Sequence, residues 1–205
     1  MKIIAVTSRV EYVEKYGERR DCLDQQWSKF LHYLDAVVLP IPNHVQTCLQ
    51  LLDKCPISGI LLTGGNDLYA YGGNALERDE TESALIEYAI NTNTPLLGVC
   101  RGMQMLCVYW EGKLKKISGH IGQRHLICGE HENRQVNSYH SYAIDILPDC
   151  FNVRAISEDG VIEQIEHKQY PIYGIMHHPE RDTPFSLNDY ELFNKYLLSP
   201  AVKCQ

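Results

Sequence analysis

The spacing of apolar residues changes period repeatedly along the first half of the chain. Lys2 to Thr7 contains the run Ile3-Ile4-Ala5-Val6 and reads as a first strand, followed by a polar loop from Glu11 to Arg20. Leu23, Trp27, Phe30, Leu31 and Leu34 then recur at helical spacing, Ala36 to Pro40 makes a second strand, and Val45, Cys48, Leu49 and Leu52 mark a second amphipathic helix. Ile57 to Thr63 is a third strand. Asp79, with Glu82 three residues on, has the form of a capping box opening a third helix through Leu85, Ile86, Ala89 and Ile90. Pro95 to Val99 is a fourth strand, after which Met105, Leu106, Tyr109 and Trp110 resume helical spacing. Four alternations of strand and helix predict a parallel, doubly wound α/β sheet, with its ligand site at the carboxyl ends of the strands.

Beyond that helix the pattern shortens to β-prone segments at Arg134–Tyr139, Tyr142–Ile146, Phe151–Ile156, Val161–Ile165 and Ile172–Met176, separated by turns such as Pro148-Asp149 and Asp159-Gly160. They are expected to extend the same sheet with antiparallel strands. Ser186 and Asp189 are placed to cap a last helix whose core face is Leu192, Phe193, Tyr196 and Leu197. No repeat or linker interrupts residues 1–205, so a single domain is expected.

Composition narrows the function class. The net charge of -7 lacks the concentrated positive surface that nucleic acid or an acidic membrane requires. A small-molecule substrate is the expected partner. No window approaches the roughly 20 apolar residues of a membrane span, and the amino terminus has no signal-peptide core, which together predict a cytoplasmic protein. The eight cysteines, Cys22, Cys48, Cys55, Cys100, Cys107, Cys128, Cys150 and Cys204, include no CxxC and are expected as free thiols.

One of them stands where chemistry is made. Cys100 ends the fourth strand, in Gly98-Val99-Cys100-Arg101-Gly102-Met103-Gln104, and the following helix would place its sulfur at a helix amino terminus, where thiolate is favoured. A buried strand-end cysteine would satisfy the same stretch. The paired glycines of Thr63-Gly64-Gly65-Asn66-Asp67 can present backbone N–H groups to a ligand at the sheet edge. A thiol nucleophile also needs a base and a group to orient that base. Met176-His177-His178-Pro179-Glu180 follows a predicted strand and supplies both, although two solvated loop histidines would fit the spacing equally.

Three other groupings carry less. His120, His125, Cys128 and His131 crowd a predicted loop, but no two form the tight pair of ligands that a short turn makes, so no metal and no cofactor are expected. Lys113, Lys115 and Lys116 read as a solvated helix end or a patch facing a phosphate. Tyr69 to Gly73 follows the glycine pair and is placed either to line a leaving-group pocket or as an ordinary surface loop.

Taken in order, Leu62 to Asp67, Gly98 to Gln104, Val136-Asn137-Ser138-Tyr139-His140 and His178-Pro179-Glu180 resemble the class I glutamine amidotransferase superfamily, and within it the γ-glutamyl hydrolase branch. Glu77 to Leu85, Gly112 to Leu114 and Asp159 to Glu163 fit the same branch, so the likeness runs from the first strand to about Glu180. The resemblance implies a flavodoxin-like, mostly parallel sheet and a triad of Cys100, His178 and Glu180. It implies an oxyanion hole from the N–H groups of Gly65 and Arg101, with Gly64, Gln104, Asn137, Ser138, Tyr139 and His140 around the glutamyl group. The branch usually has an aromatic residue where this chain has His177, and strand alternation turns His177 away from the face that His178 occupies. Substrates known in the branch are γ-glutamyl-γ-aminobutyrate, folate polyglutamates and the γ-glutamyl-CDP-amidate of bacterial capsule synthesis. The compact chain most resembles the enzymes acting on the last. Glutaminase subunits that pass ammonia to a synthetase share the fold and form the competing expectation.

Overall fold

The computed structural model describes residues 2–129 and 132–199, so His131 and Cys204 lie outside the described residues. Its elements are β1 (Lys2–Thr7), β2 (Arg9–Val13), β3 (Glu18–Cys22), α1 (Gln25–Tyr33), β4 (Ala36–Ile41), α2 (Val45–Lys54), β5 (Gly59–Leu62), α3 (Leu76–Thr92), β6 (Leu96–Val99), α4 (Arg101–Tyr109), β7 (Lys113–Lys116), β8 (Ile121–Gly129), β9 (Glu132–Tyr139), β10 (Tyr142–Ile146), β11 (Phe151–Ser157), β12 (Ile162–His167), β13 (Ile172–Ile175) and α5 (Leu187–Phe193). Nine strands form one sheet in the order β4-β1-β5-β6-β13-β12-β11-β8-β9. The first five run parallel and the rest pair antiparallel. This is the α/β sheet expected, mixed and doubly wound.

Alternation along the parallel strands divides the core into two layers. Ile4, Val6, Leu61, Leu97 and Val99 pack on one face with Trp27, Phe30 and Leu31 of α1 and Leu192 and Phe193 of α5. Ala5, Ile60, Leu62 and Leu96 face the other way, onto α2, α3 and α4. Burial on both faces explains why these strands read as continuous apolar runs.

Several elements differ from the pattern-based expectation. The polar loop from Glu11 to Arg20 is the β2–β3 hairpin, solvated on most positions and therefore without an apolar period. Residues 121–129, expected as a loop, form β8. Tyr142–Ile146 leaves the main sheet and pairs with β7 in a separate ribbon. That ribbon carries Lys113, Lys115 and Lys116, so the lysines do not end a helix; Lys116 lies over the Tyr142 ring. Ile172–Ile175 joins the extension only through β12 and runs parallel to β6 on its other side. As a result β5, β6 and β13 are neighbours, and all three point their carboxyl ends at one place.

Candidate active site

Cys100 follows β6 in a conformation that side chains seldom adopt, φ 52° and ψ −105°. Such a residue costs of order 1–3 kcal/mol and persists only where its surroundings fix it. Here the Cys100 N–H donates to Ile175 O of β13 at 2.7 Å, and its carbonyl accepts from Gln104 N at 3.1 Å in the first turn of α4. The flanking glycines permit the turn. A Cβ on Gly98 would lie 2.6 Å from the carbonyl carbon of Gly102, and one on Gly102 would lie 2.3 Å from Leu62 O. The elbow is thus pressed against two adjacent strands with its thiol at the carboxyl edge of the sheet.

His178 and Glu180 arrive from the end of β13. His178 Nδ1 lies 2.7 Å from Glu180 Oε1, with both side chains buried, and the other edge of the ring meets the Cys100 sulfur. Because a carboxylate only accepts, Nδ1 carries a hydrogen and Nε2 faces the thiol. Burial alone would lower the His178 pKa, but the Cys100 sulfur and the Glu180 carboxylate outweigh it and raise the value to about 9. The imidazole is therefore cationic at neutral pH. His177 points elsewhere, as strand alternation predicts: its Nε2 is 2.8 Å from Asp189 Oδ1 and 3.2 Å from Arg134 Nη2.

Asp189 accordingly does not cap α5. It is fully buried, paired with Arg134 at 2.5 Å, and although burial opposes ionisation, His177 and Arg134 bring its pKa down to about 2. Ser186 occupies the position before α5 without a side-chain capping bond.

The glycine loop after β5 is shaped by a residue whose part the sequence did not reveal. Arg78, wholly buried in α3, donates to Thr63 O at 2.7 Å, to Gly64 O at 3.2 Å and to Gly65 O. In a planar trans peptide the N–H points opposite to the preceding C=O, so three carbonyls gathered on Arg78 turn the Gly64 and Gly65 amides the other way. Gly65 and Arg101 both line the cleft beside Cys100. The Arg101 amide is the first of α4 and has no acceptor within the helix.

The Arg101 side chain is not in the cleft. It is 2% exposed and bonded to Asp79 and Glu82, while Glu82 also accepts from Arg78 at 2.9 Å and from Thr7 Oγ1 at 3.0 Å. Half-buried Asp79 and fully buried Glu82 thus clamp Arg101 rather than form a capping box; α3 begins at Leu76, after Ala75. Burial and the neighbouring Arg101 lower the Arg78 pKa to about 10.

The residues expected around a glutamyl group divide. Gln104 and Tyr139 line the cleft, with Gln104 Nε2 donating to Tyr142 O at 3.1 Å and the Arg181 guanidinium 4.4 Å above the Tyr139 ring. A Cβ on Gly64 would lie 2.5 Å from His178 Cε1 and 3.5 Å from Cys100 Cβ, so Gly64 is packed between them. Asn137 lies behind the histidine, both ends of its amide bonded to the His178 backbone. Ser138 is buried and donates to His120 O at 2.7 Å. His140 reaches the cleft wall, but its Nδ1 is held by Tyr142 O at 3.0 Å and its Nε2 faces Glu163. The turn at Tyr69–Tyr71 is fastened to the β7–β10 ribbon: Tyr71 O accepts from Tyr142 Oη at 2.8 Å, and its hydroxyl accepts from Leu114 N at 3.0 Å.

Residues 23–196 match the family glutamine amidotransferase class-I. The chain belongs to this family. It is 32% identical over 198 residues to a γ-glutamyl-CDP-amidate hydrolase from Campylobacter jejuni, a match covering 94% of this chain and 96% of that protein. It is 31% identical over 160 residues to one subunit of the glutamine-hydrolysing GMP synthase from Methanococcus maripaludis, covering 73% of this chain and 78% of that protein. Among solved structures, a glutamine amidotransferase from Thermotoga maritima superposes with a TM-score of 0.66 at 15% identity, covering 95% of this chain and 83% of that one, which bears on the fold. The chain is a class-I amidotransferase hydrolase by family, and no helix among its described residues is long and apolar enough to cross a membrane.

Proposed function

We propose that the protein is a cysteine-dependent, cytoplasmic hydrolase of a γ-glutamyl amide, acting on γ-glutamyl-CDP-amidate in capsular phosphoramidate synthesis to give L-glutamate and cytidine diphosphoramidate. The observation that carries this reading is the alignment of Cys100, His178 and Glu180 at the ends of neighbouring strands. In the proposed reaction the Cys100 sulfur bonds to the γ-carbonyl carbon, and the oxyanion is met by the Gly65 and Arg101 amides. His178 gives its proton to the departing nitrogen as the C–N bond breaks. It then takes a proton from water, which attacks the thioester, and glutamate leaves with the thiolate restored.

Gln104 and Tyr139 fit a role in holding the glutamyl group. Near-complete mutual coverage with the Campylobacter hydrolase supports the CDP-amidate, and Arg9 and Arg181, which line the clefts flanking His178, suit an anionic leaving group. The match to GMP synthase subunits favours a second reading, a glutaminase that delivers ammonia to a separate synthetase. A panel of glutamine, γ-glutamyl-γ-aminobutyrate and γ-glutamyl-CDP-amidate separates these. The proposal expects rapid glutamate release from the last by the purified chain and little from glutamine; preferential use of glutamine would overturn it.

A further inference from the structure

Away from the cysteine, three imidazoles converge on one buried carboxylate. His125 Nε2, His140 Nε2 and His120 Nδ1 lie 3.4, 3.5 and 3.7 Å from Glu163 Oε1. None of these approaches has hydrogen-bond geometry: among the described residues, the three nitrogens and both Glu163 oxygens are buried without a hydrogen-bond partner. Leaving even one such group unmet is ordinarily destabilising, and here five sit together. The side chains of His120, His140 and Glu163 are 5%, 1% and 1% exposed, so bulk water does not satisfy them.

The partners on the far sides of two rings decide what is missing. His140 Nδ1 faces a carbonyl, Tyr142 O at 3.0 Å, and His120 Nε2 faces a carboxylate, Asp159 Oδ2 at 2.9 Å. Both acceptors require an N–H, which in the neutral rings leaves the inward nitrogens as lone pairs. Two inward-facing imidazole lone pairs, a third imidazole nitrogen and a carboxylate aimed at one point call for a cation between them.

The dimensions suit an ion that draws its ligands inward. The ligand atoms of His120, His125 and Glu163 all lie within 4.8 Å of one another, somewhat wider than the roughly 3.4 Å between ligands of tetrahedral zinc, and His140 Nε2 stands 3.5 Å from Glu163 Oε1 as a fourth donor. Asp159 and Tyr142 O orient two of the rings from outside, as metal-bound histidines require. His120 and His125 also line a surface pocket, which provides an entry path.

We propose that His120 Nδ1, His125 Nε2, His140 Nε2 and Glu163 bind a divalent transition-metal ion of the zinc class. Sequence spacing hides the site because its ligands come from the segment before β8, from β8 itself, from the corner after β9 and from β12. With His140 drawn in beside His120, His125 and Glu163, four protein ligands would close the coordination sphere, which assigns the ion a structural part. It ties the β8–β9 hairpin to β12, and through His140 it anchors Tyr139 and Ser141 on the wall of the catalytic cleft.

The test is to strip the full chain with a chelator and titrate it with Co²⁺, then Zn²⁺, recording visible absorption and the thermal midpoint. The proposal expects one equivalent of Co²⁺ with tetrahedral d–d bands and no thiolate charge-transfer band, displaced by Zn²⁺ and accompanied by a raised midpoint. Glu163→Gln and His125→Ala should each weaken binding by about 100-fold or more, while Cys100→Ser binds as wild type. Glu163→Gln keeps the side-chain shape, so it carries the result if His125→Ala fails to fold. Absence of stoichiometric binding, affinity unchanged in Glu163→Gln, or a metal signal lost in Cys100→Ser would overturn the proposal, the first leaving protons as the missing cations.

Discussion

Asn137 grips His178 by the backbone at both ends, its Oδ1 accepting from His178 N at 2.8 Å and its Nδ2 donating to His178 O at 2.7 Å. The residue therefore acts on the ring's position from behind. Asn137→Ala strips the His178 N–H of its acceptor and leaves the His178 carbonyl held by Arg181 N, at 3.1 Å, instead of by both, so the histidine can drift; a misplacement of about 1 Å can cost on the order of 10²-fold in rate. Steady-state kinetics should show kcat reduced by about that factor with KM little changed. A raised KM at unchanged kcat would instead make Asn137 a substrate contact.

The two adjacent histidines should separate cleanly. His178→Ala removes nearly all turnover, because the ring beside the sulfur is lost. His177→Ala leaves much of kcat intact while lowering stability by about 1–3 kcal/mol, since buried Asp189 keeps only Arg134 of its two cationic partners among the described residues. Activity per folded molecule and urea unfolding measure the two effects independently. Loss of turnover in His177→Ala with retention in His178→Ala would reassign the base.

Gly64 allows no side chain. The Cβ of Gly64→Ala would lie 2.5 Å from His178 Cε1, and that ring, held by Asn137 and Glu180, has no room to retreat. The expected outcome is a kcat loss of about 10²-fold or more, with overpacking costing about 1–3 kcal/mol of stability. Circular dichroism and kinetics on the same preparation check that the fold outlasts the activity.

The pH dependence follows from His178. Its pKa in the folded chain, about 9, lies above its ordinary value of 6.5. The stability this group contributes is thus complete below about pH 6.5 and is lost as pH rises through 9. Proton donation to the leaving group requires the same cationic form, so kcat/KM should fall on an alkaline limb near 9. Glu180→Gln removes one of the charges that raise the value and should move that limb to lower pH.

The parallel half of the fold was legible because strands buried on both faces produce apolar runs, and α1 and α2 each present one apolar stripe. The β2–β3 hairpin was not, since its exposed, charged positions carry no period. Cys100 directly follows β6 and the His178-Pro179-Glu180 turn lies just beyond β13, but spacing left each open, and it was the resemblance of the ordered motifs that put the three forward as a set. Arg78, half-buried Asp79, Glu82 and Arg101 form an ionic cluster whose members are remote or hidden in a helix; charged residues three or four apart usually mark a solvated face. Asn137 and Ser138 belong to a motif adjoining the site, but the pleat turns their side chains toward His178 and His120 rather than into the cleft. His120, His125, His140 and Glu163 meet only once β8, β9 and β12 are in place.

The ionic cluster supports the glycine loop, and its removal should be felt throughout the fold. Arg78→Met frees the carbonyls of Thr63, Gly64 and Gly65 and leaves Glu82 with Arg101 as its one remaining charged partner among the described residues. Breaking a buried pair of this kind costs about 3–5 kcal/mol. Chemical denaturation should register that loss, and the surviving folded fraction should have reduced kcat through the displaced Gly65 amide.

The most direct test of the central claim is glutamate release from γ-glutamyl-CDP-amidate by Cys100→Ala beside wild type. A covalent mechanism on this sulfur predicts loss of about 10⁴-fold or more in kcat with the fold intact. Glutamate release that continues at near wild-type rate in Cys100→Ala would contradict it.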